Sequence, residues 1–146
     1  MELTQFTDYS LRVLIFLGRS ENRISTIREI ADYYQISENH LMKIIPHLVR
    51  KGYIQSIRGK GGGIRLSKSP GSIKIGKLVR ETEESLEVVE CFKPGENSCA
   101  LLPGCTLKSA LHQAMQNFLG TLDQYTLSDL LGIPNKKGAT AIAVTP

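Results

Sequence analysis

Residues 37–66 of the chain read SENHLMKIIPHLVRKGYIQSIRGKGGGIRL. In the first half of this stretch, apolar residues recur at steps of three and four while polar and basic residues fill the opposite face, which predicts an amphipathic helix over residues 38–51. Ser37 suits the N-cap of that helix, and Gly52 suits its C-terminal end. The second half reads as two short strands around a glycine-rich loop, a pattern typical of a β-hairpin.

The segment before this stretch predicts a shorter helix over residues 26–34. Two short helices, a tight turn between them and a basic second helix match the helix-turn-helix motif. A hairpin over residues 53–66 directly after such a motif is the wing of a winged helix. Pro46 lies inside the second helix and predicts a kink, because proline cannot donate the hydrogen bond to the Met42 carbonyl.

Two further helices complete the predicted N-terminal domain. Residues 4–18 form a largely buried first helix, which Thr4 or Thr7 can cap, with Asp8 in or near its first turn. A short helix begins at Ser72, after the hairpin. The sequence thus predicts a mainly α fold with one small β-hairpin, and a winged helix-turn-helix domain over residues 1–80.

The C-terminal part predicts a long helix, capped by Thr106 and ending near residue 122. Its apolar side chains form a stripe at steps of three and four: Leu107, Ala110, Leu111, Ala114, Met115, Phe118, Leu119 and Leu122. Full burial of each larger one stabilises by roughly 1.5–3 kcal/mol, and a small winged-helix core cannot cover them all. A twin helix from a second subunit can, so we expect a homodimer. The alternative is a helix that folds back on its own domain.

Charge is segregated along the chain. Residues 39–80 contain no Asp or Glu and ten Lys or Arg, whereas the whole chain has 18 basic and 14 acidic residues. The remainder therefore carries 8 basic against 14 acidic residues, a net charge of −6. A basic block of this kind indicates a nucleic-acid-binding surface. The alternative is a solvated basic face without a partner.

The three cysteines, Cys91, Cys99 and Cys105, lie in one loop at the spacing C-x7-C-x5-C. Three soft ligands on a short loop suit an iron–sulphur cluster or zinc, and the fourth ligand has to come from elsewhere. A zinc site would recruit His112, although the usual C-x2-C pair is missing. A third interpretation is a thiol redox sensor, in which one cysteine reacts and another resolves it.

Composition narrows the class of protein. The chain has 146 residues with 41% hydrophobic and 22% charged composition, enough for one globular domain with a core. The first residues lack the pattern of a signal peptide, so we expect none, and no apolar run is long enough for a membrane span. An odd cysteine count favours the reducing cytoplasm. No catalytic triad, carboxylate pair or cofactor fingerprint stands out, so we do not expect an enzyme. We expect residues 81–131 to form the cysteine loop and dimerisation helix, and residues 132–146 to form a disordered tail.

Four stretches together resemble the bacterial winged-helix iron–sulphur repressors. They are the opening MELTQFTDYSLRVL, the helix and wing quoted above, the three ordered cysteines, and YTLSDLL at residues 125–131. The resemblance covers about residues 1–131. It implies that the three cysteines of one subunit and Asp8 of the other bind an iron–sulphur cluster, of the 4Fe–4S type with 2Fe–2S as the alternative. It also implies a homodimeric repressor that senses nitric oxide.

The resemblance implies a double-stranded DNA operator that is an imperfect palindrome. The expected DNA-binding residues lie on the second helix, the wing and the start of the first helix: Ser37, Asn39, His40, Lys43, Arg58, Gly59, Lys60, Thr4, Thr7 and Tyr9. Two features depart from the family pattern, namely a longer gap between Cys91 and Cys99 and a tail without resemblance. Related regulators of iron–sulphur assembly, the alternative function, have an acidic base-reading residue where this chain has Met42.

Overall fold

The computed structural model of the protein describes residues 2–21, 23–93, 95 and 99–132. The expected disordered tail lies outside the described residues, apart from Gly132. The helices and strands, in chain order, are α1 (Gln5–Arg19), α2 (Ile27–Tyr34), α3 (Glu38–Arg50), β1 (Ile54–Ile57), β2 (Gly63–Leu66), α4 (Ile75–Thr82), α5 (Thr106–Gln124) and α6 (Leu127–Leu130). This architecture confirms the predicted mainly helical fold with one small hairpin.

Local hydrogen bonds explain where the helix-turn-helix elements begin and end. Thr26 caps α2 through a capping box with Glu29, in which each side chain accepts a backbone N–H from the other residue. The Ser37 hydroxyl accepts the His40 N–H at 3.3 Å and so caps α3, as predicted. α3 continues as one helix through Pro46, which lies on its exposed side.

The core lies between α1, α3, the hairpin and α4. Its fully buried side chains come from all of these elements: Val13, Leu14, Leu17, Leu41, Leu48, Ile54, Leu78 and Val79. α6 adds Leu127, which is fully buried against the same core. The inward residues of α3 are therefore held by packing, which leaves the opposite face of α3 directed to solvent.

The wing is fixed to the helix-turn-helix by a third segment. β1 and β2 pair antiparallel, with Ile54 opposite Leu66. Ser25, just before α2, pairs with Ile64 through two backbone hydrogen bonds of 2.9 and 2.8 Å. This bridge holds the hairpin in register against α2, so the wing and α3 form one unit.

The structure corrects the predicted start of α4. Ser72 ends a short 3-10 turn, Pro70–Ser72, and α4 begins at Ile75. The reason is a pairing between distant backbone segments: the Ile75 N–H donates to the Tyr125 carbonyl at 3.0 Å. A side-chain cap signal at Ser72 cannot reveal that competing tertiary contact.

α4 and the C-terminal end of α5 are joined at close range. The Arg80 guanidinium donates two hydrogen bonds to the Asp123 carboxylate, at 2.6 and 2.7 Å, and holds the pKa of Asp123 below its usual range. Gly76 lies directly beneath, where an added Cβ would lie 2.8 Å from the Asp123 backbone nitrogen and would also contact the carboxylate. The predicted domain boundary at residue 80 thus falls inside α4, at this junction.

Replacing Gly76 with alanine should destabilise the fold by about 1–3 kcal/mol, because the methyl group overpacks the α4–α5 contact. The measurement is the free energy of unfolding in urea. Gly120→Ala is the matched control, since an added Cβ on that α5 glycine meets nothing within 4 Å and alanine favours a helix. Equal stability of both variants would contradict the close packing of Gly76 against Asp123.

Candidate nucleic-acid interface and cysteine loop

The exposed face of α3 carries the polar residues that the sequence assigned to DNA. Asn39, His40 and Lys43 are all exposed, on the side opposite the buried Leu41 and Ile44. The His40 ring lies 5.9 Å from the ring of Tyr9 on α1, centroid to centroid. α1 and α3 are therefore in contact at the end of α3 that a helix-turn-helix directs at base edges.

The tip of the wing is exposed and glycine-rich. Arg58, Gly59 and Lys60 project beyond the paired strands, and the Gly62 N–H closes the turn on the Gly59 carbonyl at 2.9 Å. Gly59 has a φ of +97°, a conformation that glycine adopts without strain. The turn thus presents two cations beside backbone that lacks side chains, an arrangement suited to a phosphate backbone.

The start of α1 requires one correction. Thr7 was predicted to contact phosphate, but its side chain is fully buried and its hydroxyl donates to Thr82 Oγ1 at 2.8 Å. Its N–H donates to Thr4 Oγ1, so neither group is available to DNA. Thr4 is exposed, yet its N–H and hydroxyl both donate to Glu83 Oε1, at 2.9 and 3.1 Å. A carboxylate therefore already occupies the positive end of α1.

Asp8 lies on the half-exposed side of α1 and pairs with Arg12. The Arg12 guanidinium donates from Nε to Asp8 Oδ1 at 3.1 Å, and its Nη2 lies 2.9 Å from Oδ2. The hydrogen bond to Asp8 raises the pKa of Arg12 above its ordinary value. The Arg12 guanidinium also lies 5.8 Å from the ring centroids of both Tyr9 and Tyr34. Asp8 is thus accessible, but held by a cation that any metal would have to replace.

The described residues of the cysteine loop are mostly irregular. The sequence predicted a loop throughout, but its first cysteine lies in a helical turn. Cys91 lies in a short 3-10 turn, Glu90–Phe92, and Cys99 is exposed. Cys105 is the N-cap of α5, in the place predicted for Thr106: its Sγ accepts the Lys108 N–H at 3.3 Å. The position at the positive end of a helix suits a negatively charged ligand group.

All three cysteines are thiols rather than disulfides. Soft sulphur donors on one loop fit an iron–sulphur cluster or zinc by their chemistry. Within the described ranges of a single chain, however, no three His, Cys, Asp or Glu side chains are gathered into a metal-binding group. His112 instead packs against the ring of Phe92 at 6.0 Å. Asp8 and the three cysteines remain a predicted ligand set.

One junction beside the candidate interface was not predicted from sequence. Glu81, at the end of α4, accepts a hydrogen bond from the Tyr53 hydroxyl at 2.5 Å, and its backbone carbonyl lies 3.0 Å from His47 Nε2. Burial, together with the hydrogen bond to Glu81, raises the Tyr53 pKa well above its usual value. This junction ties the C-terminal end of α3 and the start of the wing to α4. Its one signal in the sequence is the switch from basic to acidic residues at positions 80 and 81.

Comparison with known proteins agrees with this architecture. Residues 3–132 match the Rrf2 family, described as an iron-dependent transcriptional regulator. The HTH-type transcriptional regulator NsrR of Geobacillus kaustophilus is 54% identical over 132 residues, covering 90% of each chain. NsrR of Bacillus subtilis is 51% identical, again with 90% of each chain covered.

Solved structures show the same fold. The chain is similar to CymR, the global cysteine regulator of B. subtilis, with a TM-score of 0.73 and 25% identity over 92% of this chain and 99% of that one. IscR of T. potens gives a TM-score of 0.71 at 22% identity, covering 97% of this chain and 94% of that chain.

None of the helices in the described ranges combines the length and apolar character needed to cross a lipid bilayer.

The resemblance inferred from the sequence is confirmed by relatives that share about half of their residues with this protein over most of their length. The chain belongs to the Rrf2 family of transcriptional regulators, as a DNA-binding regulator and not an enzyme.

Proposed function

We propose that this protein is a cytoplasmic, homodimeric repressor that releases its operator in response to nitric oxide, which it senses through an iron–sulphur cluster of the 4Fe–4S type. The observation that carries the proposal is the position of the three thiols. They lie in one loop that ends as the cap of α5, in a chain whose other end is a winged helix.

The DNA-reading part of the proposal rests on exposure and charge. In a dimer, the two α3 helices would enter successive major grooves about 34–36 Å apart, which requires an imperfect palindrome. Asn39, His40 and Lys43 would face bases or nearby phosphates, with Ser37 at the start of the helix. Arg58, Gly59 and Lys60 would lie on the neighbouring minor groove, and Tyr9 would approach phosphate. Thr4 would do so by exchanging its hydrogen bonds to Glu83 for bonds to phosphate.

The dimer part rests on α5. Leu107 is 61% exposed, and Ala110 and Ala114 are exposed as well, whereas Leu119 is the α5 side chain that the single chain buries. The larger side chains further along the stripe are half-buried: Leu111, Met115, Phe118 and Leu122. An apolar stripe left partly open on a 19-residue helix is a surface for an identical helix. Pairing two such helices would also bring the cysteine loop of one subunit near the other subunit.

The ligand set would then be Cys91, Cys99 and Cys105 of one subunit with Asp8 of the partner subunit. The bound cluster would supply iron that reacts with nitric oxide. An oxygen ligand matches cluster iron less well than sulphur does. Asp8 is consequently the ligand most easily exchanged, and in the single chain its carboxylate already has Arg12 as a partner.

Release of Asp8 would act on DNA binding through α1. Phe6 packs edge-on against the His47 ring at 5.2 Å, and Tyr9 lies against His40. The first turns of α1 therefore touch α3 near both ends of α3. An Asp8 held by the other subunit fixes α1, and with it the separation of the two α3 helices. A free Asp8 returns to Arg12 and removes that restraint. The resulting change in operator affinity is limited by how much the tether favours the DNA-competent dimer.

A nitric oxide titration tests the proposal. We expect protein purified without oxygen to be brown, to contain iron and sulphide, and to lose visible absorption and operator affinity together as nitric oxide is added. The loss of affinity should be on the order of 10- to 100-fold, the usual size of coupling between two sites. The operator DNA used in this titration is a duplex that the protein has enriched from a randomised library.

Asp8→Asn and Arg12→Gln form a matched pair for the same titration. Both remove the Asp8–Arg12 ion pair, but only Asp8→Asn removes the carboxylate, so only that variant should bind the operator weakly before nitric oxide is added. A colourless protein containing zinc would overturn the sensor. Operator release on loss of the cluster in general, without a response to nitric oxide, would instead identify a regulator of iron–sulphur assembly.

A further inference from the structure

Met42 is an apolar side chain in a place where the fold does not bury it. It lies in the middle of α3 and is 59% exposed, while its neighbours Leu41 and Ile44 are 0% and 2% exposed. Large apolar side chains on α3 are otherwise directed into the core, apart from Val49 near the C-terminal end at 36% exposure. Helix α3 therefore presents an apolar contact within its polar face.

The neighbours of Met42 are those that the proposed function places on DNA. Asn39 lies three residues before it and Lys43 follows it, so these side chains share the exposed side of one helical turn. Pro46, one turn later, is also exposed and apolar. Glu38, one turn before Met42, is an exposed acid on this side of α3. Residues 39–80 contain no further acidic side chain and ten basic ones, so the surroundings still favour a polyanion over an apolar protein surface.

The chemistry of the major groove offers one apolar feature to such a side chain. Among the four base edges, only thymine carries a methyl group, whereas cytosine has a hydrogen at the same carbon. A thioether makes no strong hydrogen bond and packs well against irregular apolar surface. We propose that Met42 reads a thymine by packing against its 5-methyl group in each operator half-site. This inference rests on the proposed entry of α3 into the major groove.

On this proposal, the side chains on the exposed side of α3 have different roles in DNA binding. Asn39 and Lys43 can donate hydrogen bonds to acceptor atoms on bases or phosphates. Met42 between them contributes discrimination that depends on a methyl group alone. Loss of one methyl contact should weaken binding roughly fourfold, the factor that corresponds to about 0.8 kcal/mol for one buried methylene-sized group. Loss in both half-sites should therefore weaken binding by about 15-fold.

A deoxyuridine scan tests this contact directly. The anaerobically purified dimer is first used to enrich a bound duplex from a randomised library. Each thymine of that duplex is then replaced by deoxyuridine, which removes only the methyl group. We expect a symmetric pair of positions at which deoxyuridine weakens the wild-type protein, while Met42→Ala binds both duplexes equally. Cytosine placed there should bind weakly, and 5-methylcytosine should restore part of the affinity.

Two further variants keep the test independent of folding. Met42→Gln preserves the length of the side chain and should lose the methyl dependence, while Val49→Ala, two turns along the same face, should retain it. A methyl effect that persists unchanged in Met42→Ala and Met42→Gln would overturn the assignment. Failure to enrich any specific duplex would instead contradict the proposed DNA-reading function, and the inference would fall with it.

Discussion

Two glutamates on the apolar stripe of α5, in the variant Leu107→Glu/Leu111→Glu, should convert the dimer into a monomer and weaken operator binding on the order of 100-fold. A symmetric seam would bring four carboxylates per dimer into an apolar contact. Burying even one charge without a partner costs several kcal/mol. The isolated chain should tolerate the changes, because Leu107 is exposed in the first turn of α5, where an acid favours the helix, and the half-buried Leu111 lies outside the core.

Operator affinity falls because a monomer has one α3 and can bind only one half-site at a time. A dimer places its second α3 near the second half-site at a high effective concentration, whereas a monomer binds each half-site separately. The measurements are molar mass by analytical ultracentrifugation and operator affinity by gel shift. Gln113→Glu/Gln116→Glu adds the same charge to exposed positions on the other side of α5 and should remain dimeric. If the Leu107→Glu/Leu111→Glu protein stayed dimeric, the dimer interface would have to lie outside this part of α5.

Cys105→Ser should abolish the cluster while leaving the fold intact. Serine is among the best N-cap residues, so the hydrogen bond from the Lys108 N–H, and with it the start of α5, should survive. The hydroxyl is a much poorer ligand for iron than a thiolate. We expect iron and sulphide content to fall close to zero, with unfolding free energy and dimer mass close to those of the wild-type protein without its cluster.

The operator affinity of Cys105→Ser is the informative measurement. It should equal that of wild-type protein after nitric oxide treatment, because both lack the tether between subunits. Thr106→Ser, one residue along, is the matched control and should keep its iron. A Cys105→Ser protein that retains iron would remove Cys105 from the ligand set, and one that loses iron but keeps full operator affinity would disconnect the loop from DNA binding.

The reading domain could be predicted because its signals are local. Ser37 caps α3 as predicted, and the apolar spacing located the buried face of that helix and the exposed positions of Asn39 and Lys43. The hairpin followed from two strands around a glycine-rich loop. In each case the deciding contact joins residues a few positions apart.

The errors arise where distant segments meet. Thr7 could cap a helix or face solvent by its sequence, but Thr82, 75 residues later, fixes its hydroxyl inside the fold. α4 begins late because the backbone around Ile75 pairs with residues near 126. Glu83 at the start of α1 is likewise visible only once the chain is folded. Such contacts depend on packing, which the spacing of residues along the chain does not encode.

The attachment of α5 at its C-terminal end bears on how such proteins can diversify. Arg80 and Gly76 hold α5 near Asp123, whereas no described residue between Glu83 and Cys105 belongs to the buried core. The cysteine loop lies at the far end of a 19-residue helix, about 28 Å away at 1.5 Å per residue. A change in the length of that loop should therefore leave the core of the winged-helix domain undisturbed. Because of this separation, the cysteine loop is a candidate for replacement in engineered variants. A loop that binds a different ligand could then be joined to an unchanged winged-helix domain.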